Sequence, residues 1–325
     1  MSHLLGFGGY VPQRIMTNDE WAVLVDTSDE WITQRTGIKR RRIAADDEST
    51  LTLAANAAEG AIKDASLTPD DVDEIILATD TPEMYTPDTA ALVQDRIGCR
   101  NIPTYDLGGS GCAGFVQALD VARSRIAFEP KKILVIGVEL ITRMVDWTDR
   151  ATAVLFGDGA GAVMMGPDSG RARILDVVSG TDGSAAGILT LAAGGTRNPF
   201  SQATLDSGEY HRVVMDGRRV FTEAVTRMSE SVTEVLHRIG RRIEEVALVI
   251  PHQANLRIID AVRKKLGVAP EKVYVNVQEY GNTGSATVPF AMWEVIQKGG
   301  IREGDLVVLT AFGAGFHWAA AALQF

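Results

Sequence analysis

Two pairs of aliphatic runs recur in this chain at a single offset. Ile75-Ile76-Leu77 follows the acidic turn Pro69-Asp70-Asp71, and Leu248-Val249-Ile250 follows a charged stretch ending at Glu245. Further on, Ile133-Leu134-Val135-Ile136 is matched by Leu306-Val307-Val308-Leu309, and both pairs lie 173 residues apart. Continuous apolar runs of this length, separated by helical patterns, predict buried strands covered by helices. Between the members of each pair comes a helical stretch, an apolar segment and a glycine-rich turn that leads into another helix. The repeat predicts two similar α/β halves, residues 1–170 and 171–325, packed about a pseudo-twofold so that equivalent turns meet at the centre. The first of those turns carries Cys112 and the second carries Asn282.

Cys112 sits in Gly108-Gly109-Ser110-Gly111-Cys112-Ala113-Gly114-Phe115. After it, Phe115, Ala118, Leu119, Ala122 and Ile126 recur at three- and four-residue steps, which predicts a helix with one apolar face starting at or just after the cysteine. Partial positive charge at a helix N-terminus favours thiolate over thiol, and the thiolate is the nucleophile. An unpaired cysteine is more often a small core residue. Here Pro251-His252-Gln253-Ala254-Asn255 and Tyr280-Gly281-Asn282-Thr283-Gly284-Ser285 supply the histidine and asparagine that a cysteine nucleophile needs.

At 325 residues and 46% hydrophobic content, the chain can bury one large core or two domain-sized ones. No apolar run is long enough to span a bilayer, and Met1 to Val11 lacks the basic and apolar regions of a signal peptide, so a cytoplasmic enzyme is expected. Cys99 and Cys112 are too few for a disulfide scaffold or a cysteine zinc site, and no metal is expected. A net charge of −10 argues against nonspecific nucleic-acid binding. A local basic face remains on the helix predicted from Asn255 to Leu266, where Arg257 and Lys264 share one side.

Taken in order, Asp26 to Ile32, Arg35-Thr36-Gly37-Ile38, Cys112 to Phe115, Asp149-Arg150, Phe156 to Gly161, Pro251 to Ile259, Gly281-Asn282-Thr283 and Ala311 to Phe316 resemble the β-ketoacyl-acyl carrier protein synthase III family of thiolase-fold condensing enzymes. The resemblance runs along nearly the whole chain. It implies an α/β thiolase-like fold of five layers, α/β/α/β/α, built from two duplicated halves and usually assembled as a homodimer. The implied reaction starts type II fatty-acid synthesis. An acyl group passes from coenzyme A to the cysteine and is condensed with malonyl-acyl carrier protein, with loss of carbon dioxide.

On that resemblance Cys112 is the acylated nucleophile, and the backbone N–H groups of Cys112 and Ala314 form the oxyanion hole. His252 and Asn282 donate to the enolate that forms as carbon dioxide leaves, so no base need generate the carbanion. A non-decarboxylating thiolase normally brings a second cysteine from its C-terminal half, and none follows Cys112. Trp31 and Arg150 match the pair that sandwiches adenine, and Thr27, Arg35, Gly217 and Asn255 match further coenzyme A contacts. Tyr85, Ile141, Phe156 and Phe312 fall at acyl-pocket positions, Tyr85 by reaching across the dimer. Arg257, with Lys264 on the same face, matches the site that docks the acyl carrier protein. No cofactor is implied beyond the coenzyme A thioester substrate. Trp147 is placed to widen the coenzyme A platform, His3, His211, His237 and His317 read as structural, and Gly157 to Gly161 reads as a tight turn near the centre, since it lacks P-loop lysine and dinucleotide spacing.

The chain departs from the family before the cysteine, where glycines replace small apolar residues. They imply either a larger acyl pocket or a different local backbone, while the bulky Tyr85 implies a short primer. Two other functions fit the same fold: a specialised acyltransferase or ketosynthase of secondary metabolism, whose members often alter the histidine or asparagine, and a non-catalytic acyl-CoA-binding protein, which would tolerate loss of Cys112.

Overall fold

The computed structural model describes residues 1–325, the side chain of His211 excepted. All four aliphatic runs of the repeat form strands, and they are joined in one nine-stranded sheet. Its members are β1 (His3–Tyr10), β2 (Glu74–Ala78), β3 (Thr104–Leu107), β4 (Ile133–Leu140), β5 (Asp158–Gly166), β6 (Ala172–Thr181), β7 (Val246–Pro251), β8 (Leu306–Gly313) and β9 (His317–Gln324). The spatial order is β7-β8-β9-β6-β1-β5-β4-β2-β3. Outward from the centre, β1, β5, β4 and β2 are mirrored by β6, β9, β8 and β7. The pairing senses mirror as well: β2 with β4 and β7 with β8 are parallel, whereas β4 with β5 and β8 with β9 are antiparallel. Beyond β7, a single parallel bridge between Val249 and Val273 stands where β3 stands beside β2. The ladder between the two groups is short, with His3 and Leu4 against Arg173 and Ala172.

Seven helices have eight residues or more: α1 (Asp29–Thr36), α2 (Thr50–Asp64), α3 (Thr89–Arg96), α4 (Gly114–Phe128), α5 (Gly217–Arg238), α6 (Leu256–Leu266) and α7 (Thr287–Gln297). None is long and apolar enough to cross a membrane. The core explains their layering. Strand residues alternate sides, so Ile76 and Val135 face inward onto Phe115, Val116 and Leu119 of α4 and Val288 and Met292 of α7. Ile75 and Leu134 face outward onto Leu53, Ala57 and Ala61 of α2. In the second group Leu309 and Ala321 face the central helices, while Val308 and Ala322 face Val232 and Val235 of α5. Five layers result, with α4 and α7 in the middle. The predicted apolar face of α4 is buried at Phe115, Ala118, Leu119, Ala122 and Ile126.

The repeat is tightest at the heads of the central helices. Gly111–Ala113 forms a single 3₁₀ turn before α4, Gly284–Ala286 forms one before α7, and both starts are 173 residues apart. Gly111 and Gly284 both take positive φ, 52° and 57°. Two readings need correcting. Gly157 to Gly161 is not a turn: the segment from Asp158 enters β5, with the Asp158 carboxylate accepting from the Ala44 and Thr142 N–H groups and the Thr142 hydroxyl. Trp147 does not join a coenzyme platform. Its ring packs on the buried Trp21, with centroids 4.8 Å apart, and its indole N–H donates to the Thr142 carbonyl.

Arg41 is fully buried. Its guanidinium donates to Asn18 Oδ1 and the Val154 carbonyl, both at 2.8 Å, and desolvation pushes its pKa down to about 10. Residue 155 next to that carbonyl accepts the Asn282 N–H, so the arginine braces the turn on which the second-half site loop rests. Arg41→Ala is expected to cost about 3 kcal/mol, because two buried acceptors lose a charged donor; a shift of the urea midpoint measures it, and a shift worth under about 1 kcal/mol would contradict the bracing role.

Candidate active site

The head of α4, the end of β7, the loop before α7 and the turn after β8 meet at one cavity of about 750 Å³. Cys112, His252, Asn282, Gly313 and Ala314 all stand on its wall. Cys112 comes from the first half and the other four from the second, so the site exists only where the halves meet.

Cys112 and Ala314 are brought together by direct backbone packing. A Cβ added to Gly313 would lie 2.4 Å from the Cys112 nitrogen, and one added to Gly111 would lie 2.5 Å from the Ala314 nitrogen. Gly111 therefore has two reasons to be glycine, its φ and this approach. That settles the glycine-rich departure for Gly111 in favour of local backbone. Gly108 and Gly109 have no crowding atom within 3.5 Å of an added Cβ, so at those two positions the surroundings leave space.

His252 is 3% exposed, its backbone N–H donates to the Thr310 carbonyl, and Nδ1 lies 2.6 Å from the Thr287 hydroxyl at the start of α7. Burial pushes its pKa down to about 3, so the ring is neutral at physiological pH. In the tautomer that carries its proton on Nε2, Nδ1 accepts from the Thr287 hydroxyl and Nε2–H is left to donate. Asn282 is oriented by its own loop: Oδ1 accepts the Gly284 N–H at 2.9 Å, and the Cys112 thiol is 4.0 Å from the same oxygen. With the oxygen so engaged, the amide NH₂ is the end left to donate.

The thiol corrects one expectation. Cys112 does lie at the head of a helix, but burial first, then the charges of Glu139 and Asp80, push its pKa above the ordinary thiol range. The resting nucleophile is a thiol. Sequence reading passed over Asp80, Glu139 and Thr287; the offset of 173 would have flagged the last as the counterpart of Gly114 at the head of its helix.

Along the proposed coenzyme path, Thr27 and Trp31 are half-buried and Thr27 Oγ1 has no partner. Arg35 lies over the Trp31 ring at 4.2 Å and Arg150 at 5.2 Å. Two stacking contacts around an adenine need about 7 Å, so the Trp31–Arg150 pair is closed here, with Arg150 held by the Asp26 carbonyl at 2.5 Å. Asn255 lines the cavity and caps α6 through Ile258 N–H. Gly217 opens α5, exposed and away from the cavity wall. Ile141, Phe156 and Phe312 line the cavity, as does Tyr85, which is 79% exposed and bonds the Gly194 carbonyl of the same chain at 3.0 Å. Arg257 is exposed without an ion pair, whereas Lys264 is paired with Asp260 at 2.7 Å. Of the histidines read as structural, His317 bonds Thr181 Oγ1, and the side chain of His211 lies outside the described residues.

Comparison with known proteins adds similarity along the whole chain. Residues 105–183 match the family model of 3-oxoacyl-[acyl-carrier-protein (ACP)] synthase III, and residues 236–325 match the model of its C-terminal part. The chain is 46% identical to β-ketoacyl-[acyl-carrier-protein] synthase III of Symbiobacterium thermophilum, over 99% of this chain and 97% of the relative. The crystal structure of 3-oxoacyl-[acyl-carrier-protein] synthase III from Aquifex aeolicus VF5 superposes with a TM-score of 0.92 at 43% identity, covering all of both chains. The priming β-ketosynthase of the R1128 polyketide biosynthetic pathway superposes with a TM-score of 0.91 at 34% identity, over 100% of this chain and 96% of that one.

Two outcomes test the geometry. If the Cys112 N–H is an oxyanion donor, Gly313→Ala should lower the rate of acyl transfer on the order of 10²-fold, because the added Cβ displaces the Cys112 nitrogen; single-turnover acylation reads this, and a rate within twofold of wild type would contradict it. His252 should show no NMR titration between pH 5 and 8. Since its folded pKa lies below the ordinary 6.5, the stability it contributes is complete above that pH and is lost as the pH falls toward 3.

Proposed function

The chain belongs to the 3-oxoacyl-[acyl-carrier-protein] synthase III family, and we propose that it performs the initiating condensation of type II fatty-acid synthesis in the cytoplasm. The observation that carries this reading is the convergence of Cys112, His252, Asn282 and the Cys112 and Ala314 N–H groups on one cavity.

In the first half-reaction Cys112 Sγ attacks the thioester carbonyl of an acyl-CoA. The negative oxygen is held by the Cys112 and Ala314 N–H groups, the bond to sulfur breaks, and the proton that leaves Cys112 ends on the departing coenzyme A thiol. In the second, the malonyl thioester carbonyl accepts from His252 Nε2–H and the Asn282 amide. Carbon dioxide leaves, the enolate carbon attacks the acyl-cysteine carbonyl, and the C–S bond breaks to release 3-oxoacyl-acyl carrier protein and Cys112 as a thiolate, which takes one proton from solvent to return to the resting thiol. The neutral histidine suits donation: it stabilises developing charge without taking a proton from carbon. No cofactor is needed beyond the thioester substrate.

Entry of coenzyme A requires Arg150 to swing off Trp31 and leave a slot for adenine, with Thr27, Arg35 and Asn255 along the path and Gly217 at its margin. Arg257 is the candidate contact for an acidic carrier protein, and Lys264 is a weaker one because Asp260 already neutralises it. We place the working unit as a homodimer. β3 ends the sheet with one edge unpaired and with Tyr105 and Leu107 half-buried, and a second copy pairing there would cover that edge. Tyr85 would then be shared between the mouths of both cavities.

A second reading keeps the chemistry and changes the primer: a ketosynthase of secondary metabolism, favoured by the likeness to the R1128 priming enzyme. One experiment separates them. Intact mass after mixing with acetyl-, isobutyryl-, hexanoyl- and octanoyl-CoA in competition should show a single acyl adduct that is absent in Cys112→Ser; acetyl or another short chain supports the fatty-acid reading, hexanoyl or octanoyl the second. No adduct from any of them would withdraw both. Arg257→Glu should weaken condensation with malonyl-acyl carrier protein about tenfold, as for loss of a charge at a docking rim, while sparing acyl transfer; equal loss of both would count against docking.

A further inference from the structure

Asp80 follows the end of β2 and faces the catalytic cavity. Its Oδ1 accepts the Gly109 N–H at 2.8 Å, and the Gly111 N–H is directed at the same carboxylate. The Asp80 N–H in turn donates to Glu139 Oε1 at 3.0 Å. Glu139, on β4, is 1% exposed and also accepts the Thr81 hydroxyl at 2.8 Å and the Ser285 hydroxyl at 3.1 Å. Ser285 stands 173 residues after Cys112, in the second-half turn that matches the nucleophile turn. The two carboxyl groups thus hold the two equivalent turns, Asp80 the one with Cys112 and Glu139 the other.

Two titratable groups act on the thiol, Asp80 from the end of β2 and Glu139 from β4. His252 stands on the same cavity wall at the end of β7, and His317, at the start of β9, acts on Asp80. On the same wall Asp88 and Asp106 are engaged with the backbone N–H groups at the head of α3. His252 is neutral, and His317 is engaged with Thr181. The acidic groups acting on Cys112 are therefore Asp80 and Glu139, and since Glu139 is pushed up to about 8 and is protonated at neutral pH, Asp80 is the member of the pair that ionises first. Burial raises both carboxyl pKa values, and the charge of Asp80 raises that of Glu139 further.

We propose that Asp80 is a positioning residue for the nucleophile: its carboxylate fixes the Gly109–Gly111 segment that carries Cys112 and, as a negative charge facing the same cavity, sets the pH at which the cysteine becomes reactive. The device keeps Cys112 a poor target for stray electrophiles until a thioester is seated, and it works against the helix terminus that would otherwise ionise the thiol.

Three substitutions divide charge from position. Asp80→Asn keeps an oxygen for the Gly109 N–H and removes the charge, Asp80→Glu keeps the charge, and Asp80→Ala removes both. The readout is the rate of Cys112 alkylation by iodoacetamide against pH, followed by intact mass and assigned by peptide mapping against the buried Cys99. Removing one like charge should move the Asp80→Asn midpoint down by about one pH unit, which is roughly tenfold faster alkylation at a fixed pH below it. Asp80→Glu should stay at the wild-type midpoint. Asp80→Ala should share the lowered midpoint and lose about a further tenfold in kcat for acyl transfer, with KM for acyl-CoA little changed, as misplacement of a reacting group predicts. An Asp80→Asn curve superimposed on wild type, or an Asp80→Glu curve displaced as far as Asp80→Asn, would overturn the proposal. It rests on Cys112 being the acylated nucleophile. A wild-type protein that takes no acyl group at Cys112 fails that reading; one that is acylated normally but whose variants alkylate identically fails only this one.

Discussion

The backbone of Gly111–Cys112 lies directly against the backbone of Gly313–Ala314, and the site depends on that contact. Neither glycine has room for a methyl group. The contact brings the Cys112 and Ala314 nitrogens together without side chains between them, as the proposed oxyanion hole requires, and donors fixed in advance cost no reorganisation during reaction. The rest of the fold serves this approach. Two inward-facing strand groups clamp α4 and α7, and each helix begins with a 3₁₀ turn at a positive-φ glycine, so the turns are aimed at each other by their own helices.

Burial then decides the charge states. The same desolvation makes His252 neutral, makes Cys112 a thiol and raises the carboxyls of Asp80 and Glu139. A neutral histidine held by Thr287 and an amide held by Gly284 are both set to donate. That favours stabilising an enolate over pulling a proton from carbon, which is why decarboxylation is the chemistry the site supports. The protonation of the nucleophile is settled chiefly by burial, with the nearby carboxyls acting in the same direction and the helix terminus against both.

The periphery is arranged by weaker and more local forces. Arg150 rests on Trp31 because an exposed guanidinium finds an aromatic face and the Asp26 carbonyl within reach. Tyr85 rests on the Gly194 carbonyl for a similar reason. By contrast the buried Arg41 bonds carbonyls and an amide through its terminal nitrogens, and so becomes a fixed brace behind the Asn282 loop. Family resemblance assigned roles to the peripheral residues; their resting conformations follow from what each side chain touches in this chain.

Much of this was legible in the residues themselves. Aliphatic runs at one offset and the periodicity after Cys112 determine the strands, the helix behind the nucleophile and the duplicated architecture, because each depends on spacing along the chain; the roles given to Cys112, His252 and Asn282 came from the resemblance of their motifs to a family. What the order of residues could not determine is what burial and distant neighbours impose. Gly157 to Gly161 looks like a turn and becomes the start of a strand, since packing against the α7 loop is what its small residues serve. Trp147 looks like a platform and goes to Trp21, where burying two indoles outweighs exposing one. Cys112 looks poised as a thiolate, yet Asp80 and Glu139, 32 residues before it and 27 after it, come to its side only when β2 and β4 pair. Charge at a site is a property of everything within a few ångströms, and only the tertiary structure decides what that is.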